Sequence, residues 1–246
     1  TIKSGERVAI TGPSGSGKST IINMLPRFLT PTSGSITIGG SPASELPLST
    51  IRSSMGIAFQ EVFLFNATIY ENLRYARESA TLEEIEAACA LTGADKVVDR
   101  LPDGYDTRLS DHGIELSRGE KQRITLARAL LKDAPILIFD EATASVDLVS
   151  SHTIMESIST KMDGKTIIMI THETSLLQLA DRVLYVRDGR VCFNGTPDEF
   201  VAQGYGTSLR SPLGSPIDGE MTPKLRERRS KDRSQDGAVQ TEREQD

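Results

Sequence analysis

A largely parallel α/β fold is predicted for this chain, on three observations. Short apolar runs alternate along the chain with stretches of helical period. Two of those runs, Ile136-Leu137-Ile138-Phe139 and Ile167-Ile168-Met169-Ile170, are apolar throughout, as strands covered on both faces are. A glycine-rich turn follows at once on the first run, Arg7-Val8-Ala9-Ile10, which is the layout of a strand–loop–helix unit.

Each element follows in order. The strand 7–10 leads into the turn 12–19 and then a helix beginning near Lys18. Pro26 should end or kink that helix early, because proline lacks the amide donor and its ring meets the carbonyl four residues back. Ser35-Ile36-Thr37-Ile38, set between glycines, reads as a strand, and Ile57-Ala58-Phe59 as another short one. Residues 82–91 carry charges on one face and Leu, Ile, Ala and Cys on the other, with Thr81 placed as N-cap, so a helix is expected there. A second helix, rich in Arg, Leu and Ala, spans 120–131. Beyond the two apolar strands, 183–186 and 190–193 are joined by Asp188-Gly189, the signature of a hairpin with both turn residues at positive φ. From Gly206 onward Ser, Pro, Gly and charge take over, and 206–246 is expected to be disordered, with too little apolar surface to offset its ordering entropy.

Composition narrows the function. At 246 residues there is room for one large domain or two small ones, each with a real core. The net charge is −6, and since the tail carries eight basic and eight acidic residues, the excess sits in 1–205. That balance argues against nucleic acid as a partner. Cys89 and Cys192 are too few for a disulfide framework or a Cys-rich metal site, and both are expected to be buried small hydrophobes. No apolar run approaches the roughly 18 residues of a membrane span. The abrupt start at Thr1, without an initiator Met or a signal peptide, reads as the start of a fragment.

Two motifs carry chemistry. Gly12-Pro13-Ser14-Gly15-Ser16-Gly17-Lys18-Ser19 fits G-x-x-x-x-G-K-[ST] in the position that motif requires. Its glycines let the backbone wrap a polyphosphate with N–H groups pointing inward, and the next helix adds its N-terminal dipole. Lys18 supplies a point charge to the β- and γ-phosphates, and the Ser19 hydroxyl is a Mg²⁺ ligand. A chance match in a chain of this length is on the order of 1 in 100. The second motif is the strand 136–139, which delivers Asp140 and Glu141 at its C-terminal end, where open α/β sheets bind ligands. Asp140 can hold Mg²⁺ directly or through water, and Glu141 is placed to polarise an attacking water. His172, flanked by Thr171 and Glu173, follows the other apolar strand.

These residues, taken together, resemble a known family. The phosphate loop, Gln60, Leu116-Ser117-Arg118-Gly119-Glu120, Asp140-Glu141, Ser145-Val146-Asp147 and His172 stand in the order and approximate spacing of an ABC ATPase domain, over about residues 1–203. The segment 116–120 is similar to the family signature Leu-Ser-Gly-Gly-Gln. The resemblance implies a P-loop NTPase (RecA-like) core made of 1–60 and 134–205, with an inserted helical subdomain at 61–133 that ends on the signature helix. It implies ATP held by 12–19 and Thr20, Mg²⁺ at Ser19, Gln60 and Asp140, and catalysis by Glu141, His172 and Gln60. By the same resemblance a second ABC ATPase domain is a partner, dimerised head to tail, so that Ser117 and Gly119 close the other domain's ATP site. Asp147 would reach the facing subunit, and Gln60 would sense Mg²⁺ and the membrane-spanning domains, which are further partners. The implied location is the cytosolic face of a membrane, within a transporter.

The segment 63–73 looks like the exporter pattern, and Tyr105-Asp106-Thr107 to Asp111-His112-Gly113 is similar to the exporter loop ahead of the signature, with Ser110-Asp111 where Gly-Glu is usual. Two departures stand out. The family's two upstream strands and its adenine-stacking aromatic would precede Thr1. Arg118 and Glu120 replace the signature's Gly and Gln; the cation pairs with phosphate, obstructs closure or is a tolerated substitution, and the sequence leaves all three open. The expected function is therefore ATP hydrolysis coupled to export. The alternative is a nucleotide-dependent dimerisation or regulatory module with little turnover. In the tail, Ser211-Pro212, Ser215-Pro216 and Thr222-Pro223 match proline-directed phosphorylation sites, and 224–233 is a basic window suited to an anionic membrane surface.

Overall fold

The computed structural model describes residues 1–109 and 115–205, so the expectations for Ser110, Asp111, His112 and Gly113 and for the tail from 206 lie outside the described residues. Along the chain run β1 (Arg7–Thr11), α1 (Lys18–Met24), β2 (Thr37–Ile38), β3 (Ser41–Pro42), α2 (Leu48–Ser53) and β4 (Met55–Ala58). Helices α3 (Ile69–Arg74), α4 (Leu82–Thr92), α5 (Asp95–Val98) and α6 (Arg118–Leu131) follow. Then come β5 (Ile136–Asp140), α7 (Leu148–Lys161), β6 (Thr166–Ile170), α8 (Thr174–Leu177), β7 (Arg182–Arg187), β8 (Arg190–Gly195) and α9 (Pro197–Ala202).

Six strands form one sheet in the order β4-β5-β6-β1-β7-β8, parallel except for β8. Side chains alternate across it as the strand period requires. Val8, Ile10, Ile138, Ile168 and Ile170 enter one apolar cluster with Ile22 of α1 and Ile51 of α2. Ala9, Leu137, Phe139, Ile167 and Met169 enter another with residues of α3, α4, α6 and α7. Both faces are thus covered, which is why the strands read as continuous apolar runs. Each fully buried Ile or Leu contributes about 1.5–3 kcal/mol by leaving water. Gly56 of β4 lets α6 approach closely: a Cβ there would lie 2.5 Å from the Ala129 carbonyl oxygen.

Several expectations shift. The strand read at 57–59 begins two residues earlier and ends one earlier, at Met55–Ala58, because it pairs in parallel with Ile136 to Phe139 of β5. Phe59 lies beyond it, its ring 6.0 Å from that of Phe28. Of the four residues expected at 35–38, only Thr37–Ile38 are strand, paired with β3 across two glycines at positive φ. Cys89 is buried as expected, but Cys192 is exposed, since it sits on an outward position of β8 at the sheet edge. The helix at 18 does end early, at Met24, with Leu25 as C-cap before Pro26. The Asp188-Gly189 turn has φ of 51° and 71°, as its hairpin type demands. Among the described residues no helix is long and apolar enough to cross a membrane.

Candidate active site

Strand register brings the chemical residues to one edge. Ala58 is level with Phe139, and Asp140 with Ile170, which is itself level with Ile10. The next residues of four adjacent strands therefore emerge together: Phe59-Gln60, Glu141, Thr171-His172, and Thr11-Gly12. Two further bonds hold the edge in line: the Glu141 amide donates to the Ile170 carbonyl at 3.0 Å, and the Thr171 amide to that of Ile10 at 3.3 Å.

The loop 12–17 packs under the β7–β8 turn. Gly12 has φ 145°, and a Cβ on it would lie 1.9 Å from the Val186 carbonyl oxygen, so the loop can pass there only as glycine. The Gly189 amide donates to the Ser16 carbonyl at 3.2 Å. Gly17 (φ 102°) turns the chain into α1, whose first residue is Lys18. The Lys18 ammonium is folded back to donate to the Gly12 and Pro13 carbonyls, both at 2.8 Å, and the residue is only 5% exposed. Burial lowers its pKa below the ordinary lysine value, partly countered by Glu141 and Asp140. The Ser16 hydroxyl is buried without a partner.

Asp140 closes β5 and is 4% exposed. Burial raises its carboxyl above the ordinary aspartate value, while Ser19 and Lys18 act in the other direction. The Ser19 hydroxyl stands 3.5 Å from Asp140 Oδ1. Glu141 follows in the left-handed region, φ 47°, an uncommon conformation for a side chain of its size that concentrates at functional sites. Its Oε1 lies 3.0 Å from His172 Nε2, and its Oε2 accepts a 3.0 Å hydrogen bond from Gln60 Nε2. Lys18, Ser19, Gln60, Asp140, Glu141 and His172 thus form one constellation, with Thr20 exposed on the first turn of α1.

Ser117 and Gly119 stand apart from it, at the start of α6. Ser117 is the N-cap in a full capping box: Glu120 Oε2 accepts from both the Ser117 amide and its hydroxyl at 2.8 Å, and the Glu120 amide donates to Ser117 Oγ at 3.3 Å. Arg100 pairs with Glu120, while Arg118 is exposed. Gly119 faces the loop after Glu141, where a Cβ would lie 2.8 Å from the Ser145 carbonyl oxygen. The same loop is gripped by Gln122, buried on α6, whose Oε1 accepts from the Ser145 amide at 2.9 Å. Asp147 caps α7 and accepts from the Ser150 amide at 2.9 Å, so its side chain remains at the surface. Sequence reasoning missed Gln122, Thr143, Ser151 and the packing of the β7–β8 turn on the phosphate loop. Only tertiary contacts reveal them.

The donor set fits a Mg²⁺ nucleotide. A magnesium ion needs few protein oxygens when phosphates and waters complete its octahedron, and one hydroxyl and one desolvated carboxylate lie together here. The orphaned Ser16 hydroxyl suits an anionic occupant of the loop.

Comparison with known proteins identifies the family. The family model described as ABC transporter matches residues 1–144. An ATP-dependent lipid A-core flippase of Legionella pneumophila is 43% identical over 200 residues, covering 81% of this chain and 34% of its own length. ABC transporter B family member 21 of Arabidopsis thaliana is 41% identical over 215 residues, covering 87% of this chain and 16% of its own length. A bacterial Atm1-family ABC exporter solved with ATP bound superposes with a TM-score of 0.79 at 37% identity, covering 82% of this chain and 36% of that one. The chain spans about a third of the length of the flippase.

Proposed function

The chain belongs to the ABC transporter family, and on that footing we propose that it is an ATP-binding and ATP-hydrolysing domain that powers substrate export by membrane-spanning domains outside this sequence. The observation that carries the reading is the Glu141 carboxylate, held between His172 Nε2 and Gln60 Nε2 at 3.0 Å each, one residue after buried Asp140 and beside the phosphate loop. Residues 1–60 and 134–205 make the ATP-binding core in this reading, and 61–133 the helical subdomain that presents the signature. Dimerisation with a second such domain places Ser117 and Gly119 against the nucleotide of the partner, at the cytosolic face of a membrane.

Each group has a definite task. Residues 12–20 direct backbone amides at the phosphates, as helix-start loops do. Lys18 exchanges the Gly12 and Pro13 carbonyls for phosphate oxygens, which suits an ammonium that burial has left short of anionic partners. Ser19 and Asp140 would hold the ion, whose charge would stabilise the transferring phosphoryl group. Glu141 accepts the proton of the attacking water, His172 fixes the carboxylate on one oxygen, and Gln60 fixes it on the other. With the water oxygen bonded to the γ-phosphorus, the bond to the ADP oxygen breaks. The test is ATP affinity and turnover of the intact transporter. Lys18→Ala should weaken ATP binding, and unchanged affinity would count against the phosphate-loop assignment.

One observation favours a second reading, in which ATP drives dimerisation with little turnover. The Ser117 hydroxyl is already committed to Glu120, which would have to release it before it could meet a phosphate. Single-turnover measurement separates the two: a domain that closes on ATP yet leaves it intact for minutes is the regulatory module.

A further inference from the structure

Behind the constellation lies a set of contacts the chemistry above does not use. Ser151, on the first turns of α7, is fully buried. Its Oγ lies 2.8 Å from Thr143 Oγ1 and 3.4 and 3.2 Å from Glu173 Oε1 and Oε2. A carboxylate only accepts, so the single Ser151 proton goes to Glu173, and Thr143 donates its own proton to Ser151. Both ends of this relay return to the site. Thr143 lies in the turn that begins at Glu141, where the Ala144 amide donates to the Glu141 carbonyl at 3.0 Å and the Val146 amide to that of Thr143 at 2.9 Å. Glu173 is bonded in sequence to His172, and its amide donates to Thr171 Oγ1 at 3.0 Å.

The contacts therefore close a ring: Glu141 to His172 by side chains, His172 to Glu173 by backbone, Glu173 to Ser151 to Thr143 by hydroxyls, and Thr143 back to Glu141 by backbone. His172 is pinned on both flanks, on one by the Thr171 amide bond to Ile10 and on the other by the relay. From this closed ring we infer that Glu173 and Ser151 are positioning residues, which set the His172 imidazole against Glu141 without touching nucleotide. The relay also starts from the helix that Asp147 caps, so the loop carrying Asp147 is tied to the placement of His172. The inference rests on the ATPase reading of the site.

The experiment is steady-state ATP turnover of the intact transporter in membranes, comparing the parent with Glu173→Ala, Glu173→Gln, Ser151→Ala and the double Ser151→Ala/Glu173→Ala. Loss of the relay should lower kcat about tenfold, the scale on which a small misplacement of a catalytic group acts. KM for ATP should stay within about twofold, because neither Glu173 nor Ser151 is given a contact with the nucleotide in this reading. Glu173→Gln keeps an acceptor oxygen for Ser151 and should recover most of kcat. The double variant should be no slower than the slower single one, since either substitution already opens the ring. A Glu173→Ala kcat within twofold of the parent, a loss carried by KM instead, a Gln variant no better than Ala, or multiplicative singles would each overturn the inference. Should Glu173→Ala fail to assemble, Ser151→Ala and Glu173→Gln decide on the same criteria. A parent that does not hydrolyse ATP sinks the ATPase reading and this inference with it; a parent that does, with a relay that does not matter, sinks only the inference.

Discussion

Replacing Glu141 by Gln isolates the proton-accepting role from everything else the residue does. The amide has nearly the volume of the carboxylate and keeps one oxygen acceptor. That oxygen can stay opposite His172 Nε2, 3.0 Å away, while the new NH₂ faces Gln60, whose own amide turns over to present its oxygen at the present 3.0 Å spacing. The left-handed backbone at Glu141 is indifferent to the change, because Gln meets the same steric limits there. Shape and contacts are thereby preserved and only basicity is lost. A positioned general base is worth about 10²–10⁴ in rate, which at ~1.36 kcal/mol per decade is roughly 2.7–5.4 kcal/mol of barrier. The expected result in the intact transporter is a fall in ATP turnover of at least about a hundredfold, with ATP affinity held and a closed, ATP-bound dimer accumulating. Turnover and nucleotide binding are measured on the same membranes, the dimer by the nucleotide it retains. A turnover within a factor of two of the parent, ~0.4 kcal/mol, would exclude Glu141 as the base.

Three further expectations follow from other contacts. Gly119→Ala drives a methyl to within 2.8 Å of the Ser145 carbonyl oxygen, so α6 must shift from that loop, at a cost of about 1–3 kcal/mol; an unchanged urea midpoint would show that the approach is slack. Asp181 is held below the ordinary aspartate pKa by hydrogen bonds from the Arg7 side chain, which lies 2.6 Å away. A depressed acid contributes stability that is present above its unfolded pKa and disappears as pH falls through the folded one. Both side chains are about two-fifths exposed, so solvent screens the pair and Asp181→Asn should cost only about 0.2–1 kcal/mol at neutral pH. The two unfolding midpoints should converge on acidification, and a gap independent of pH would remove the Arg7 pair as its source. Arg118→Gly with Glu120→Gln restores the ordinary signature and frees the Ser117 hydroxyl from its carboxylate. In a heterodimer it should change turnover mainly at the opposite site, in a homodimer at both, and no change at either would make the altered signature neutral.

The parts of the fold that were legible are those whose cause is local. β5 and β6 declare themselves because a strand covered on both faces must be apolar along its length, and both carry an unbroken apolar run, Ile136 to Phe139 and Ile167 to Ile170. The turn at Asp188-Gly189 is legible because few residue pairs accept positive φ twice. Helix α7 escaped notice because six of its fourteen residues, Leu148–Lys161, are Ser or Thr, whose hydroxyls compete for backbone groups. Tertiary burial of Ile154, Met155 and Ile158 holds it instead. Helices α3 and α9 were legible in principle, since Thr68 with Glu71 and Thr196 with Glu199 each form a capping box, but both are only six residues long and carry little periodicity.

The site divides along the same line. Residues 12–19 and the pair Asp140-Glu141 are contiguous motifs, and their placement follows once parallel strands are assumed, because such strands end on one edge. His172 needed the further fact that β6 lies between β5 and β1. The relay through Thr143, Ser151 and Glu173 spans separations of 8 and 22 residues and joins two hydroxyls to a carboxylate, groups that are individually commonplace. No local pattern marks it, since its meaning lies wholly in closure: each contact is modest, about 0.5–1.5 kcal/mol between the two hydroxyls and about 1.5–3 kcal/mol where a carboxylate accepts, yet together they tie the backbone of His172 to the turn that carries Glu141. A motif can specify which atoms do chemistry, but the geometry that makes them effective is set by contacts distributed through the fold. Substitutions at such unremarkable positions should therefore impair turnover while every motif remains intact.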